Sequence, residues 1–145
     1  MSDAATVRLQ RVMPAPPDVV FDEWIDREAL REWMCPRPVR VLDVTVEPHV
    51  GGTVRFDVDD SGTRVVISGR FLAIDRPRLL RFTWTNSNWP EATDSVVTVT
   101  FEPVGDGETL MSLKHSLLPP EELESFDSGW ALTVDQLAAA LGGRG

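Results

Sequence analysis

A chain of 145 residues can bury a substantial core, because folding at this size removes about 70% of the unfolded chain's surface from water. Its 14 basic and 23 acidic side chains give a net charge of −9, which argues against DNA or RNA as a partner, since phosphate binding needs clustered Lys and Arg. Cys35 is the only cysteine, so no intramolecular disulfide can form.

The first segment, "TVRLQRVMPAP", reads as a strand that runs into prolines 14, 16 and 17. Pro17 suits the first turn of a helix, where its missing N–H costs little. The following "DVVFDEWI" places Val20, Phe21 and Trp24 at helical spacing. Asp26 then reads as a new N-cap, and "REALREWM" carries Leu30, Trp33 and Met34 on one face, so two short helices are predicted in place of one long one.

From about residue 39 to residue 115 the period changes to two. "VRVLDVTVEP" is a strand, and "HVGGTVRFDVDDSGTRVVISGRFLAID" reads as two strands joined at "DDSG". Val54, Phe56 and Val58 share one face of the first, opposite Arg55, Asp57 and Asp59. Leu80, Phe82 and Trp84 alternate in "RLLRFTWTN", and Val97, Val99 and Phe101 in "DSVVTVTFEP". After the turn "GDG", Met111, Leu113 and His115 alternate with Ser112 and Lys114. Such alternation predicts an antiparallel sheet with one apolar and one wet face.

The last segment returns to helical spacing, with Phe126, Trp130, Val134, Leu137 and Leu141 forming one stripe. Its start is predicted just after Pro119 and Pro120, and its end at Gly142 and Gly143. Gly129 sits inside this pattern, where glycine costs roughly 1 kcal/mol relative to alanine. Close approach of the helix to its neighbours is the favoured explanation, and a local bend is the other. With no linker or repeat, residues 1–145 are read as a single α+β domain, one apolar helix facing a curved antiparallel sheet.

At this point the residues resemble a known family. The motifs "MPAPPDVVFDEWID", "REWM", "VGG", "SGRFLAIDRPRLLRFTW", "VTVTFEP" and "SGWALTVDQLAAAL" follow the order found in the family named after the activator of the heat-shock protein 90 ATPase. That family lies within the START-like, or SRPBCC, helix-grip superfamily. The resemblance implies about seven strands wrapped around the C-terminal helix, with an apolar cavity between them and the two short helices closing one end.

The side chains that carry chemistry are few. Trp24, Trp33, Trp84 and Trp130 fall on apolar faces, where core packing is the ordinary role and a pocket wall the functional one. Trp89 stands in the polar loop "TNSNWPEATDS", either plugging a local gap or overhanging a cavity mouth. Tyrosine is absent, which removes phenolic acid chemistry. Cys35, His49 and His115 are far apart, with no metal-ligand spacing, so no metal site is expected, and no motif calls for a cofactor. No nucleophile elbow or phosphate loop is present, and "HVGGT" reads as a turn device. His115 lies in phase with Met111 and Leu113. It is either a core histidine satisfied by a backbone carbonyl or a polar anchor for a ligand.

The resulting expectation is binding of a small hydrophobic or aromatic molecule beneath the last helix. Its contacts would be Phe56, Phe82, Trp84, Val99, Phe101 and Met111, together with Leu113, Phe126, Trp130 and the anchor His115. Trp33 and Met34 would sit at the entrance. A cyclase- or aromatase-like enzyme is an alternative that needs polar groups inside the cavity, for which Arg70, Ser68 and Ser112 are the further candidates. A chaperone-associated interaction module is another, and a homodimer is left open. The N-terminal "MSDAATVRLQRV" lacks a signal peptide's apolar stretch and no run reaches transmembrane length, so a cytoplasmic protein without a membrane partner is expected.

Overall fold

The computed structural model describes residues 5–91 and 93–144. Its elements follow the sequence periods closely. Strand β1 (Ala5–Met13) ends at the proline-rich turn. Helix α1 (Pro17–Glu23) begins with Pro17 in its first turn and buries Val20 and Phe21. Helix α2 (Arg27–Trp33) is capped by Asp26, whose carboxylate accepts from the N–H groups of Glu28 and Ala29 at 2.9 and 3.1 Å. Such a cap is worth about 1 kcal/mol.

Six further strands follow, namely β2 (Arg40–Val46), β3 (Thr53–Asp60), β4 (Thr63–Asp75), β5 (Leu79–Asn86), β6 (Ser95–Val104) and β7 (Glu108–Leu118). They form one antiparallel seven-stranded sheet in the order β1-β7-β6-β5-β4-β3-β2. The β3–β4 hairpin turns through Ser61 and Gly62, both at positive φ, as a two-residue hairpin turn requires. Asp59 accepts from the Gly62 N–H at 2.7 Å and fixes that turn.

Register explains the two faces. Val7, His115, Val97, Phe82 and Phe71 are cross-strand neighbours in one row, and each is at most 2% exposed. One residue along, Arg8, Lys114, Thr98 and Arg81 form the parallel row on the wet face. Ser68 pairs with the exposed Arg55, and Ser112 bonds Gln10, so both belong to the wet side, as does the exposed Arg70.

Helix α3 (Leu123–Arg144), preceded by a 3-10 turn at Pro120–Glu122, lies across the inner face. It buries Trp130, Val134, Leu137 and Leu141. The helix runs through Gly142 and Gly143, correcting the expected stop there. Neither glycine adopts the positive φ of a terminating C-cap, so the pair weakens the last turn without ending it. The arrangement is the helix-grip fold, with α1 and α2 at one end of the sheet. Arg76 clamps Asp22 with two 2.8 Å bonds and ties α1 to the β4–β5 turn. Arg27 donates to Asp43 and to the Val44 carbonyl, tying α2 to β2. Among the described residues no helix is long and apolar enough to cross a membrane.

Candidate functional site, an aromatic cavity beneath the last helix

Phe126, Gly129, Trp130 and Thr133 occur at helical spacing on α3 and border a cavity of about 190 Å3. Strands β3 to β5 contribute Val58, Val65, Ile67 and Trp84. The segment leaving α2 contributes Met34, Cys35, Pro36 and Val39. Asp60, Asn86, Asn88, Glu122 and Ser125 complete the lining. Asp60, Asn88 and Ser125 are exposed, whereas the tryptophans and valines are buried apart from the half-buried Val39. The cavity is therefore apolar inside and polar at its rim.

The aromatic walls are fixed by polar contacts as well as by packing. Trp84 donates its indole N–H to Asn86 Oδ1 at 2.7 Å. Trp130 donates its own to His115 Nδ1 at 2.9 Å. The rings of Trp84 and Trp130 are 5.5 Å apart, and Phe126 meets Trp84 edge-on at 6.2 Å. Trp89, from the β5–β6 loop, is buried and packs on Phe126 at 5.9 Å, so it backs the wall.

His115 has both ring nitrogens committed, and the network fixes its tautomer. Ser95 Oγ donates to the Trp84 carbonyl at 2.6 Å, so it must accept from His115 Nε2–H at 2.7 Å. Nδ1 is then the acceptor for Trp130. A second proton on Nδ1 would face the Trp130 N–H, and the ring is wholly buried. Burial accordingly pushes the His115 pKa down to about 3. The histidine is satisfied by side chains, where the sequence suggested a backbone carbonyl.

Of the residues named from sequence, Met34, Trp84, Phe126 and Trp130 line the cavity together. Trp33, expected at the entrance, is fully buried against Trp24 at 4.9 Å. Phe56 lies 6.0 Å from Trp84, Phe82 packs on Phe71 and Trp24, and Phe101 packs on Phe21. Val99, Met111 and Leu113 are buried in the inner face of the sheet. These seven and His115 are core residues outside the cavity lining. Face assignment from alternation finds what is buried, but it does not say where packing leaves a gap.

Three residues have roles in the structure that the sequence did not assign to them. Gly129 is a wall of the cavity, and a Cβ there would meet only Pro36 Cγ at 3.6 Å. That is an ordinary contact, which corrects the close-approach explanation. Gln136, buried on α3, accepts from the Arg37 N–H at 2.9 Å and donates to the Trp33 and Cys35 carbonyls at 2.9 and 2.8 Å. It fixes the segment that carries Met34 to Pro36. Its only sequence signal is a polar residue beside the apolar stripe. Cys35 sits at φ +72°, and burial, aided by the Asp60 carboxylate, pushes its thiol up to about 12.

Among the described residues no three His, Cys, Asp or Glu side chains converge as a metal site would require. A wider groove of about 570 Å3 lies outside the sheet, between β1, β6 and β7, on the polar face carrying Arg8 and Lys114.

Residues 14–142 match the family described as Activator of Hsp90 ATPase homolog 1-like protein. No curated protein matches the chain in sequence. Among solved structures, protein CV1439 from Chromobacterium violaceum is 28% identical with a TM-score of 0.84, covering 94% of this chain and 97% of its own. The AHSA1 protein SPO3351 from Silicibacter pomeroyi, at 23% identity and a TM-score of 0.83, covers 97% of this chain and all (100%) of its own. PFC0360w of Plasmodium falciparum, an HSP90 activator, is 25% identical with a TM-score of 0.76, over 95% of this chain and 96% of its own.

Proposed function

The chain belongs to the family of Activator of Hsp90 ATPase homolog 1-like proteins, and from that premise we propose that it binds a small hydrophobic or aromatic molecule between the sheet and α3. The observation that carries this reading is the cavity walled by Trp84, Phe126 and Trp130 and left open at Gly129. Ligand sites are concave, mostly apolar and supplied with a few placed polar groups, and this one has that composition. Its volume of about 190 Å3 is small beside drug-sized pockets, and an engineered cavity of about 150 Å3 takes up benzene. The ligand is accordingly a mono- or bicyclic molecule or a short chain.

Binding is favoured over catalysis by the inner lining, where Cys35 is the titratable side chain, the carboxylates of Asp60 and Glu122 standing at the rim. A catalytic group would need to titrate near neutral pH, and the Cys35 thiol, at about 12, stays protonated and weakly nucleophilic. His115 lies behind the walls with both nitrogens engaged. The test is a panel of aromatic and aliphatic molecules, read by tryptophan fluorescence and melting temperature. Binders should stabilise the protein, and Gly129→Phe, which fills the cavity, should abolish the response. A broad panel without any response would sink the proposal.

A second reading is favoured by the likeness to the Plasmodium falciparum Hsp90 activator. In it, this domain docks on a chaperone. Stimulation of a chaperone ATPase by the purified chain, unaffected by Gly129→Phe, would support that reading over ligand binding.

A further inference from the structure

The rim of the cavity carries charge of one sign only. Asp60 reaches it from the end of β3 and Glu122 from the turn before α3, so two carboxylates stand on different elements. No Lys, Arg or His is among its described lining residues. Of the cations beyond the lining, Arg40 bonds Asp59 at 3.2 Å, and Arg31 and Arg37 line a neighbouring groove that shares Met34, Cys35 and Val39 with the cavity. Asp59 and Asp60 alternate to opposite sides of β3. Inside the rim, Trp84, Phe126 and Trp130 present aromatic surface, whose negative faces attract cations.

One feature opposes this polarity. The first turn of α3 adjoins the cavity, and a helix N-terminus carries about half a positive charge. Glu121 and Glu122 in the preceding turn and Glu124 in the first turn of α3 outweigh it. Both charged side chains among the described lining residues are acidic, in a chain whose overall charge is −9.

Resting on the binding reading above, we infer that the cavity selects organic cations, an aromatic or alicyclic body bearing a protonated amine, and discriminates against carboxylates of the same shape. The apolar body occupies the space between Trp84, Trp130 and Ile67. The ammonium lies at the rim, between Asp60 and Glu122, where it stays partly hydrated. The Asn86 and Asn88 amides add hydrogen-bonding capacity there. Fatty acids and aryl carboxylates would bring an uncompensated negative charge to two others.

Three probes of one shape test this by calorimetry on the intact chain, namely 1-naphthylmethylammonium, 1-naphthalenemethanol and 1-naphthylacetate. The ammonium should bind about 10-fold or more tighter than the carboxylate, with the alcohol between, and the gap should narrow in high salt. Asp60→Asn combined with Glu122→Gln should remove the preference, bringing the ammonium and the carboxylate to equal affinity. Equal or tighter binding of the carboxylate overturns the inference and leaves the binding reading standing. A preference that survives the double substitution also overturns it. If none of the three binds, the inference is overturned, and the binding reading falls only if the broad panel is silent as well.

Discussion

The indole N–H of Trp130 donates to Nδ1 of His115 at 2.9 Å, joining the wall of the cavity to a histidine that is 0% exposed. The same histidine donates through Nε2 to Ser95, which in turn holds the Trp84 carbonyl. Two aromatic walls on different elements are thus indexed to one neutral imidazole. The cavity keeps its shape because this network has one consistent assignment of protons.

That network predicts acid sensitivity. The His115 pKa is lowered from 6.5 to about 3 on folding, so below pH 6.5 the unfolded chain binds a proton that the folded chain refuses. Stability from this site is fully present above pH 6.5 and is lost progressively as pH falls toward 3, by about 1.4 kcal/mol per unit. The unfolding free energy from urea titration should therefore drop between pH 7.5 and pH 5, by about 2 kcal/mol at the lower end. His115→Gln, which cannot titrate, should flatten that slope whatever its own stability. An unchanged slope in the variant would assign it to other groups.

Gly129 predicts opposite effects for small and large substitutions. Alanine should gain up to about 1 kcal/mol, because the site is helical and the new Cβ would meet only Pro36 at 3.6 Å. A stability loss would mean that the helix needs the space. The contrast is Gly69, where an added Cβ would fall 1.8 Å from the Thr83 carbonyl oxygen. Gly69→Ala should cost about 1–3 kcal/mol through forced backbone shifts, measured by the same urea titration.

Gln136→Leu should destabilise the fold by about 3 kcal/mol. It leaves the Arg37 N–H and the Trp33 and Cys35 carbonyls without their present partner, at about 1 kcal/mol or more each. Hydrogen exchange at Arg37 should quicken well beyond what global destabilisation explains. Uniform quickening across the chain would show that the glutamine is merely core filler.

Cys35 should react slowly with thiol reagents at neutral pH, since its buried thiol is held at about 12. It also lines the cavity, so an occupant should slow alkylation further. Alkylation at the rate of a free thiol, unaffected by ligand, would place the sulfur outside the site.

The sequence announces every strand and helix of this fold because alternation at period two and the stripe from Phe126 to Leu141 are strong signals. The faces of Phe56, Phe82, Val99 and Met111 were equally legible, and all four are buried. The cavity was not legible in the same way. It is a local shortfall of packing among Val58, Ile67, Trp84 and Trp130, and a gap depends on how side chains from distant segments meet. Gly129 was visible as an anomaly, but its meaning as a wall required Pro36 and Trp84 to be placed. Gln136 gave no warning, because one polar residue beside an apolar stripe is ordinary on a helix flank.

Ligand binding in the space bounded by Trp84, Phe126 and Trp130 is open to direct observation. The most direct measurement is titration of the isotope-labelled chain with 1-naphthalenemethanol, following the five indole N–H signals in proton–nitrogen spectra. Saturable shifts are expected at Trp84 and Trp130, smaller ones at Trp24 and Trp33, and loss of all of them in Gly129→Phe. Signals that stay fixed to the limit of solubility, or shifts that persist undiminished in Gly129→Phe, would contradict binding in this space.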